Sequence, residues 1–486
     1  MSERTREICT IPDHYYEETE TMPTTADEVS VSVVTDTAAL SSLSSEWDEL
    51  ASKSSATVFQ TFEWQYLWWR HFGMNEGQEL YVAVFRTEDR LVGIAPFLIQ
   101  AYQILHLRVF RRLMLLGSGL NNAYSPLLPL ERQGPSDYLD AIVEPGFEER
   151  VAVSLHSVLV QDSHLWDEIE LQNVPENGFL YSYLVPLFEK SRIPVTKAIE
   201  DTCPVLMLPQ TLDDFLSSVS GNERRNLRHA LKGFLQNPGC EIEDNTGWRD
   251  IDGALRTLEE IHQKRWNEMG YPGMFSDRRF GSFIFAVSKA LMQKERLWFK
   301  TLRWNGRIAA CNLCLTFNGR LYTYVSGFDR EGLSAAGLSG AGKALTLLQI
   351  SDSIDRGYTA VDMGRGTEAY KFSLTSTFTR NWRIVISTGT DDGSFPRVQV
   401  FQLYGTYRQL TTRLNCEAYI VKLISGEKGT AHGLAGYISH LWRRVLLKVR
   451  GNRKAGERMT HGSISGPGMM SSPESNKKAF GREIES

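Results

Sequence analysis

Residues 297–387 read LWFKTLRWNGRIAACNLCLTFNGRLYTYVSGFDREGLSAAGLSGAGKALTLLQISDSIDRGYTAVDMGRGTEAYKFSLTSTFTRNWRIVIS, and this stretch decides the fold. Three strand-like runs open it, at 297–302, 307–317 and 321–327. Asn305-Gly306 joins the first pair and Asn318-Gly319 the second. Asn-Gly favours the tightest hairpin turn, in which both central residues need positive φ. A three-strand antiparallel meander follows. Beyond it lie glycines at 332, 337, 340 and 342, then a helical run over 341–356 that Gly357 stops. A fourth strand over 359–363 runs into DMGRGTEAYKF.

That order has a physical use. Glycines let backbone approach a ligand closely, and the free N–H groups at a helix start attract anions. Lys343 falls in the first helical turn, within reach of a phosphate. The strand after the helix returns beside the third strand and presents its carboxyl end to the same ligand. This arrangement resembles the core of the GNAT acyltransferase superfamily. More narrowly, YVSGFD and RGYTAVDMGRGTEAYKF resemble the CelD/BcsL-type acetyltransferases of cellulose and exopolysaccharide synthesis, relatives of the FemAB peptidyltransferases. The family's D-x-G-x-G-x-x-x-Y-K signature is met by Asp362, Gly364, Gly366, Tyr370 and Lys371. The resemblance covers roughly residues 30 to 390 and is most specific here. It departs from the superfamily's tighter pyrophosphate pattern, because these glycines are displaced and interleaved with Ser and Leu. It implies acetyl-CoA or another acyl-CoA as co-substrate, held by Gly337, Gly340, Gly342 and Lys343.

The 486 residues are too many for one ordinary core, so two domains with tails are expected. With 42% hydrophobic and 23% charged residues, the chain reads as soluble and globular. It holds no apolar run long enough to span a bilayer, and its charged N-terminus lacks the apolar core of a secretion signal. The net charge of −5 argues against nucleic acid as a partner. Cysteines 9, 203, 240, 311, 314 and 416 are scattered. Cys311 and Cys314, three apart on a strand, point to opposite faces, and no second pair completes a metal site. Structural thiols, no metal and a cytoplasmic location are the expectation.

An internal echo sets the domain plan. LYVAVFRTEDRLVGIAP aligns without a gap on LWFKTLRWNGRIAACNL; Leu80 meets Leu297, Arg86 meets Arg303 and Arg90 meets Arg307. The order of helix, strand, turn and strand is shared as well. The chain therefore reads as two copies of one α/β (α+β) fold, tandem GNAT-like units with mixed, largely antiparallel sheets flanked by helices. The boundaries are a disordered tail at 1–28, a first unit at 29–200, a second at 201–390 with the acyl-CoA site, C-terminal helices at 391–450 and a disordered tail at 451–486. The first copy continues through a strand at 112–116, GSGLNNAYSPLL, a helix at 146–161, a strand at 167–171 and a helix at 179–190, and residues 193–197 begin the crossing towards the second copy. Its GSGLNNAYSP segment stands where the second copy has its glycine turn, but has no comparable basic residue. The first copy is expected to shape the substrate cleft and not to hold CoA. Helix 62–72, with Trp64, Leu67, Trp68 and Phe72, is either a packed aromatic face or a substrate wall.

The second copy opens with a strand at 205–208 and a helix capped by Thr211. Arg224, Arg225, Arg228 and Lys232 then form a basic helical face, a solvated surface or a contact for an anionic substrate or carrier. Trp266, with the Pro272-Gly273 turn, resembles family positions near the acceptor cleft. His262 on the same helix reads as structural. LWRRVLLKVR near the C-terminus sets Arg443, Arg444, Lys448 and Arg450 beside Trp442 and Leu446, a docked helix or a membrane-surface contact.

Acyl transfer requires a held thioester, a deprotonated nucleophile and a stabilised thiolate. No Gly-x-Ser-x-Gly elbow or recognisable Cys–His pair favours a covalent intermediate, which leaves direct attack in a ternary complex. Asp362 is a base or the anchor of the Gly364–Gly366 turn. Tyr370 is a proton donor to the thiolate or a packing residue. Lys371 balances charge. The expected function is N- or O-acyl transfer to a sugar, nucleotide sugar or polysaccharide precursor, a small-molecule or glycan acceptor, with a polysaccharide-synthesis complex as a possible setting. Two alternatives stand beside it: a FemAB-like aminoacyl or peptidyl transferase, disfavoured by the acidic charge and the missing coiled-coil arm, and a degenerate GNAT scaffold in a synthase complex.

Overall fold

The computed structural model describes residues 5–7, 28–74, 77–104, 107–119, 134–244, 251–268, 273–335 and 338–387. All fall in the first of two compact units, residues 1–420; the second, 421–486, lies outside the described residues. So do the expected C-terminal helices, the basic LWRRVLLKVR helix and the final tail. Of the N-terminal stretch expected to be disordered, Thr5–Glu7 forms a short strand and Glu28 and Val29 lead into the next; residues 1–4 and 8–27 are outside the described set.

The first half holds strands β1 (Thr5–Glu7), β2 (Ser30–Val34), β3 (Gln78–Thr87), β4 (Arg90–Ile104), β5 (Leu107–Leu115), β6 (Ile142–Val143) and β7 (Glu168–Pro175), with helices between β2 and β3, between β6 and β7 and after β7. These are α1 (Thr37–Ser42), α2 (Ser44–Lys53), α3 (Phe62–Trp68), α4 (Glu148–Gln161) and α5 (Val185–Lys190). Strand β8 (Val195–Met207) leads into the second half. There follow α6 (Leu212–Ser218), α7 (Gly221–Leu235), β9 (Cys240–Asp244), α8 (Ile251–Glu268), α9 (Arg278–Gln293) and the meander β10 (Leu297–Trp304), β11 (Arg307–Phe317) and β12 (Arg320–Phe328). The described residues close with α10 (Arg330–Ala335), α11 (Ala341–Asp355), β13 (Ala360–Asp362), α12 (Ala369–Phe372) and β14 (Phe378–Ser387).

The hairpin chemistry acts as the sequence requires. Asn305 and Gly306 have φ of 47° and 76°, Asn318 and Gly319 46° and 69°. All the strands join one mixed sheet in the order β1-β2-β3-β4-β5-β7-β14-β8-β13-β12-β11-β10-β9, with β6 on β4. The parallel pairs are β5 with β7 and β12 with β13. The crossing expected at 193–197 and the strand expected at 205–208 are one continuous strand, β8. It pairs with β14 over Val195–Pro204 and with β13 over Val205–Met207. Pro204, which has no N–H to give, stands where β8 changes partner. Strand β14, last among the described residues, lies between β7 and β8. The halves therefore interlock through their final strands, and residue 200 lies inside a strand.

A shared core fixes this geometry. Trp47, Trp64, Trp68 and Leu98 from the first half pack in one cluster with Phe280, Phe283, Phe299 and Leu313 from the second. Trp64 and Trp68 are wholly buried and Phe72 nearly so, which makes the aromatic helix face a packed surface. Each such ring contributes roughly 1.5–3 kcal/mol on burial. Across the sheet, α6, α7 and α11 pack on separate apolar clusters that include Trp298, Cys314 and Leu347, and Ala230, Ala310 and Ala344. Cys311 belongs to the first cluster and Cys314 to the opposite one, as strand alternation dictates.

Candidate acyl-transfer cleft

Strands β12 and β13 pair in parallel only at Arg320–Ala360, Leu321–Val361 and Tyr322–Asp362. β13 then ends, whereas β12 runs on from Thr323 to Phe328. Beyond Tyr322, β12 has no strand partner on that side among the described residues. The two strands part, and a free backbone edge faces the gap. Gly364, at φ 68°, sits at the apex, where a Cβ would stand 3.1 Å from the Thr323 carbonyl and 3.0 Å from Asp137. Only glycine lets the chain turn away so near another backbone.

Helix α11 starts at the other end of the gap. Its N-cap is Gly340 at φ 78°, which holds no side chain over the first free N–H groups. A Cβ there would meet that of Ala230 on α7 at 2.9 Å. Gly342 faces the Phe328 ring, 3.5 Å from where a Cβ would be. Gly337 lies outside the described residues. Lys343 is committed: its Nζ donates to both carboxylate oxygens of Glu223, at 2.6 and 2.7 Å.

Asp362 is 2% exposed at the end of β13. Its Oδ2 accepts the Tyr138 hydroxyl at 2.6 Å and its Oδ1 the Gly364 N–H at 2.9 Å. Burial pushes its carboxyl up to about 6, against the pull of those two hydrogen bonds. Burial and the Asp362 charge in turn raise the Tyr138 phenol well above its ordinary range. Lys371 is buried beneath the same turn. Its Nζ donates to the carbonyls of Gly364 and Arg365, at 3.3 and 2.6 Å, and pairs with Glu368 at 3.0 Å. Tyr370, one residue earlier, is half-exposed, and burial of its hydroxyl with the nearby Glu368 charge pushes it up to about 12. Asp362 and Lys371 thus grip the turn, and Tyr370 is the side chain of the three that reaches its surface.

The first half reaches this turn through residues that sequence reading did not single out. Arg365 pairs with Asp137 at 2.7 Å and donates to the Gly134 carbonyl at 3.1 Å. Tyr324 donates to the Pro135 carbonyl, Trp64 to Ser136 and Asn381 to the Asp137 carbonyl. Residues 134–138 are therefore fastened to the second half at almost every position. Nothing local in the sequence signals this, although a polar, aromatic-bearing PSDY run after a glycine was a hint.

The other expected substrate residues lie on α7 and α8. Arg224, Arg225 and Arg228 share one face of α7 with His229 and Lys232, around an open depression of about 460 Å³. Arg228 leans on Asp213 at 3.3 Å. Trp266, on α8, donates to His262 Nε2 at 3.0 Å. Burial, with the Arg265 charge, lowers His262 to about 4, so it is neutral and packed against Phe275. Among the described residues no group of three or more His, Cys, Asp or Glu is placed to hold a metal, and no helix is long and apolar enough to cross a membrane.

Residues 221–372 match the family model described as the acetyltransferase (GNAT) domain. The match takes in α7, the meander, α11, β13 and the Asp362–Phe372 turn. Among solved structures, FemX matches at a TM-score of 0.50 and 10% identity, covering 70% of this chain and 95% of its own. A tandem GNAT protein from the clavulanic acid biosynthesis pathway gives a TM-score of 0.38 at 13% identity, covering 74% and 100%. The C-terminal domain of a putative lysylphosphatidylglycerol synthetase from Agrobacterium fabrum gives 0.42 at 10% identity, covering 74% and 95%. No curated protein matches the sequence.

Proposed function

We propose that the protein is an acyl-CoA-dependent N- or O-acyltransferase that acts on a sugar, nucleotide sugar or polysaccharide precursor, by direct transfer in a ternary complex. The parting of β12 and β13 in front of the glycine-capped start of α11 carries this reading. An extended amide-bearing arm, such as that of CoA, can pair with the free edge of β12 as an added strand. Its diphosphate would then meet the N–H groups beyond Gly340. Acyl-CoA supplies the activated thioester. Tyr370 is the proton donor to the departing thiolate, and Asp362 and Lys371 hold the turn that aims it. The basic face of α7 and Trp266 border the acceptor's approach. The two halves are two copies of one unit, of which the second alone carries the CoA cleft, and the cellulose or exopolysaccharide setting follows the resemblance of the DMGRGTEAYK segment.

Titration calorimetry with acetyl-CoA on the full chain tests the core of this. Micromolar binding, followed by mass-spectrometric detection of an acetylated product from a panel of sugars and nucleotide sugars, is the expected result. A folded protein that binds no acyl-CoA sinks the reading. The full chain is needed because β14 and β8 interlock the halves.

A further inference from the structure

We infer that Arg265 and Arg330 form a two-guanidinium clamp for a phosphate-bearing ligand at the mouth of the β12–β13 cleft. The inference rests on reading that cleft as a ligand site. Lys264, Arg265, Asp329, Arg330 and Glu331 meet where α8 passes the end of β12. Lys264 takes both acids, Asp329 at 3.4 Å and Glu331 at 2.6 Å. These are the residues on either side of Arg330, which is left exposed with no ion pair among the described residues. Arg265 is half-buried and has no acidic partner among the described residues, and its Nε is buried there with no hydrogen-bond acceptor. A buried donor left unmet costs free energy unless a ligand meets it.

The surroundings place this pair at the cleft. The Arg265 guanidinium carbon stands 5.6 Å above the Phe328 ring. The same ring lies against Gly342, in the first turn of α11. Phe328 is thus a floor shared by Arg265 and the helix start. Burial first, then the Arg330 charge, hold Arg265 below its ordinary value, while Tyr370 pulls the other way. Two guanidinium groups kept near each other without a counter-charge fit an anion that each can fork onto. Lys343, the obvious cation by sequence, is tied to Glu223 and leaves this part to the arginines. The shared chemistry is a phosphoester, from the diphosphate of CoA or from a phosphorylated acceptor such as a nucleotide sugar.

The test is titration calorimetry on the full chain with inorganic diphosphate, for wild type, Arg265→Gln and Arg330→Gln, each checked for folding by circular dichroism. Each substitution should weaken diphosphate binding by about 10- to 100-fold, the scale of one lost charge-assisted contact. Arg265→Lys should recover only part of the loss, because a point charge lacks the fork. Titrating diphosphate into CoA-saturated protein separates the sources. Exclusion by CoA assigns the clamp to the CoA diphosphate; continued binding assigns it to the acceptor. If CoA fails to bind but diphosphate binds in an arginine-dependent way, the acyl-CoA reading falls and the clamp stands. Unchanged binding in both Gln variants, or no diphosphate binding by wild type, overturns the clamp.

Discussion

The two parallel strand pairs, β5 with β7 and β12 with β13, repeat one frame and end it differently. Each pairs over three residues, Arg112–Glu168 to Met114–Glu170 and Arg320–Ala360 to Tyr322–Asp362. Each carries a buried carboxylate at the third position, Glu170 or Asp362. At β7, cations seal the end. Arg112 pairs with Glu168 and Glu170, and Arg383 joins Glu170 at 2.5 Å. Burial alone would raise Glu170, but the Arg112 and Arg383 charges outweigh it and hold the carboxyl below its ordinary value. At β13 no cation among the described residues forms an ion pair with the carboxylate, which rests on a phenol and a backbone N–H and is pushed up. β5 also stops at Leu115, just past the last pair, whereas β12 continues to Phe328 and leaves an open edge. One frame becomes a closed structural joint or an open cleft according to strand length and the presence of an arginine.

The largest effect should come from taking chemistry away from the open end. Tyr370→Phe is expected to lower turnover by roughly 10²–10⁴-fold, the scale of lost general-acid assistance, with acetyl-CoA affinity unchanged. Steady-state kinetics on the acceptor found by mass spectrometry, beside a calorimetric CoA titration, checks this. Full turnover would mean that the open end positions substrates through backbone alone. Melting temperature should hardly move, because the ring is half-exposed.

Much of this frame was legible. Asn-Gly pairs announced both meander hairpins because few other residues take positive φ cheaply, and Gly340 and Gly357 bracket α11 for the same reason. The DMGRGTEAYK segment was found as a turn after a strand, and the alternative of Asp362 as anchor of Gly364 is a hydrogen bond in the structure. Long-range pairing was not legible. The insertion of β14 between β7 and β8 has no local signature, since strand partners are set by tertiary fit and not by sequence neighbours. The Tyr138–Asp362 bond joins residues 224 positions apart. Lys343 looked free because its partner, Glu223, begins a different helix.

The closed end should break in proportion to its charge. Arg112→Ala leaves Glu168 and Glu170 buried without their main partner, which typically costs about 3–5 kcal/mol. Urea unfolding of the variant at pH 7 measures it. A loss under about 1 kcal/mol would show that Arg383 alone can neutralise the joint. The printed partners of Arg112, Glu168 and Glu170, belong to β7 and not to the β12–β13 cleft, so acetyl-CoA affinity per folded molecule should be retained.

The smallest effect separates the two carboxylates by sign. Asp362 has its folded value raised to about 6 from an unfolded value near 3.8. Below the lower value both states are protonated, and the stability of the neutral carboxyl is fully present. As pH rises from about 4 to about 6 the unfolded chain ionises first, so that stability is lost, and above about 6 the loss is constant. Its size is on the order of 3 kcal/mol at 1.36 kcal/mol per unit. Asp362→Asn carries no such charge. Its amide oxygen can still accept the Gly364 N–H, and the Tyr138 hydroxyl can turn to accept from the amide nitrogen. The stability of this variant relative to wild type should therefore climb between pH 4 and 6 and then level off. Glu170 runs the other way: its folded value is lowered, so its ionised form stabilises the protein above about 4.5, and that contribution is lost as pH falls through the folded value. The advantage of wild type over Glu170→Gln should shrink on acidification. Urea midpoints for the three proteins from pH 4 to 8 test both slopes at once. Parallel slopes for the two variants would mean that Asp362 has a cation the open end was argued to lack, and the contrast between the two strand pairs would then rest on strand length alone.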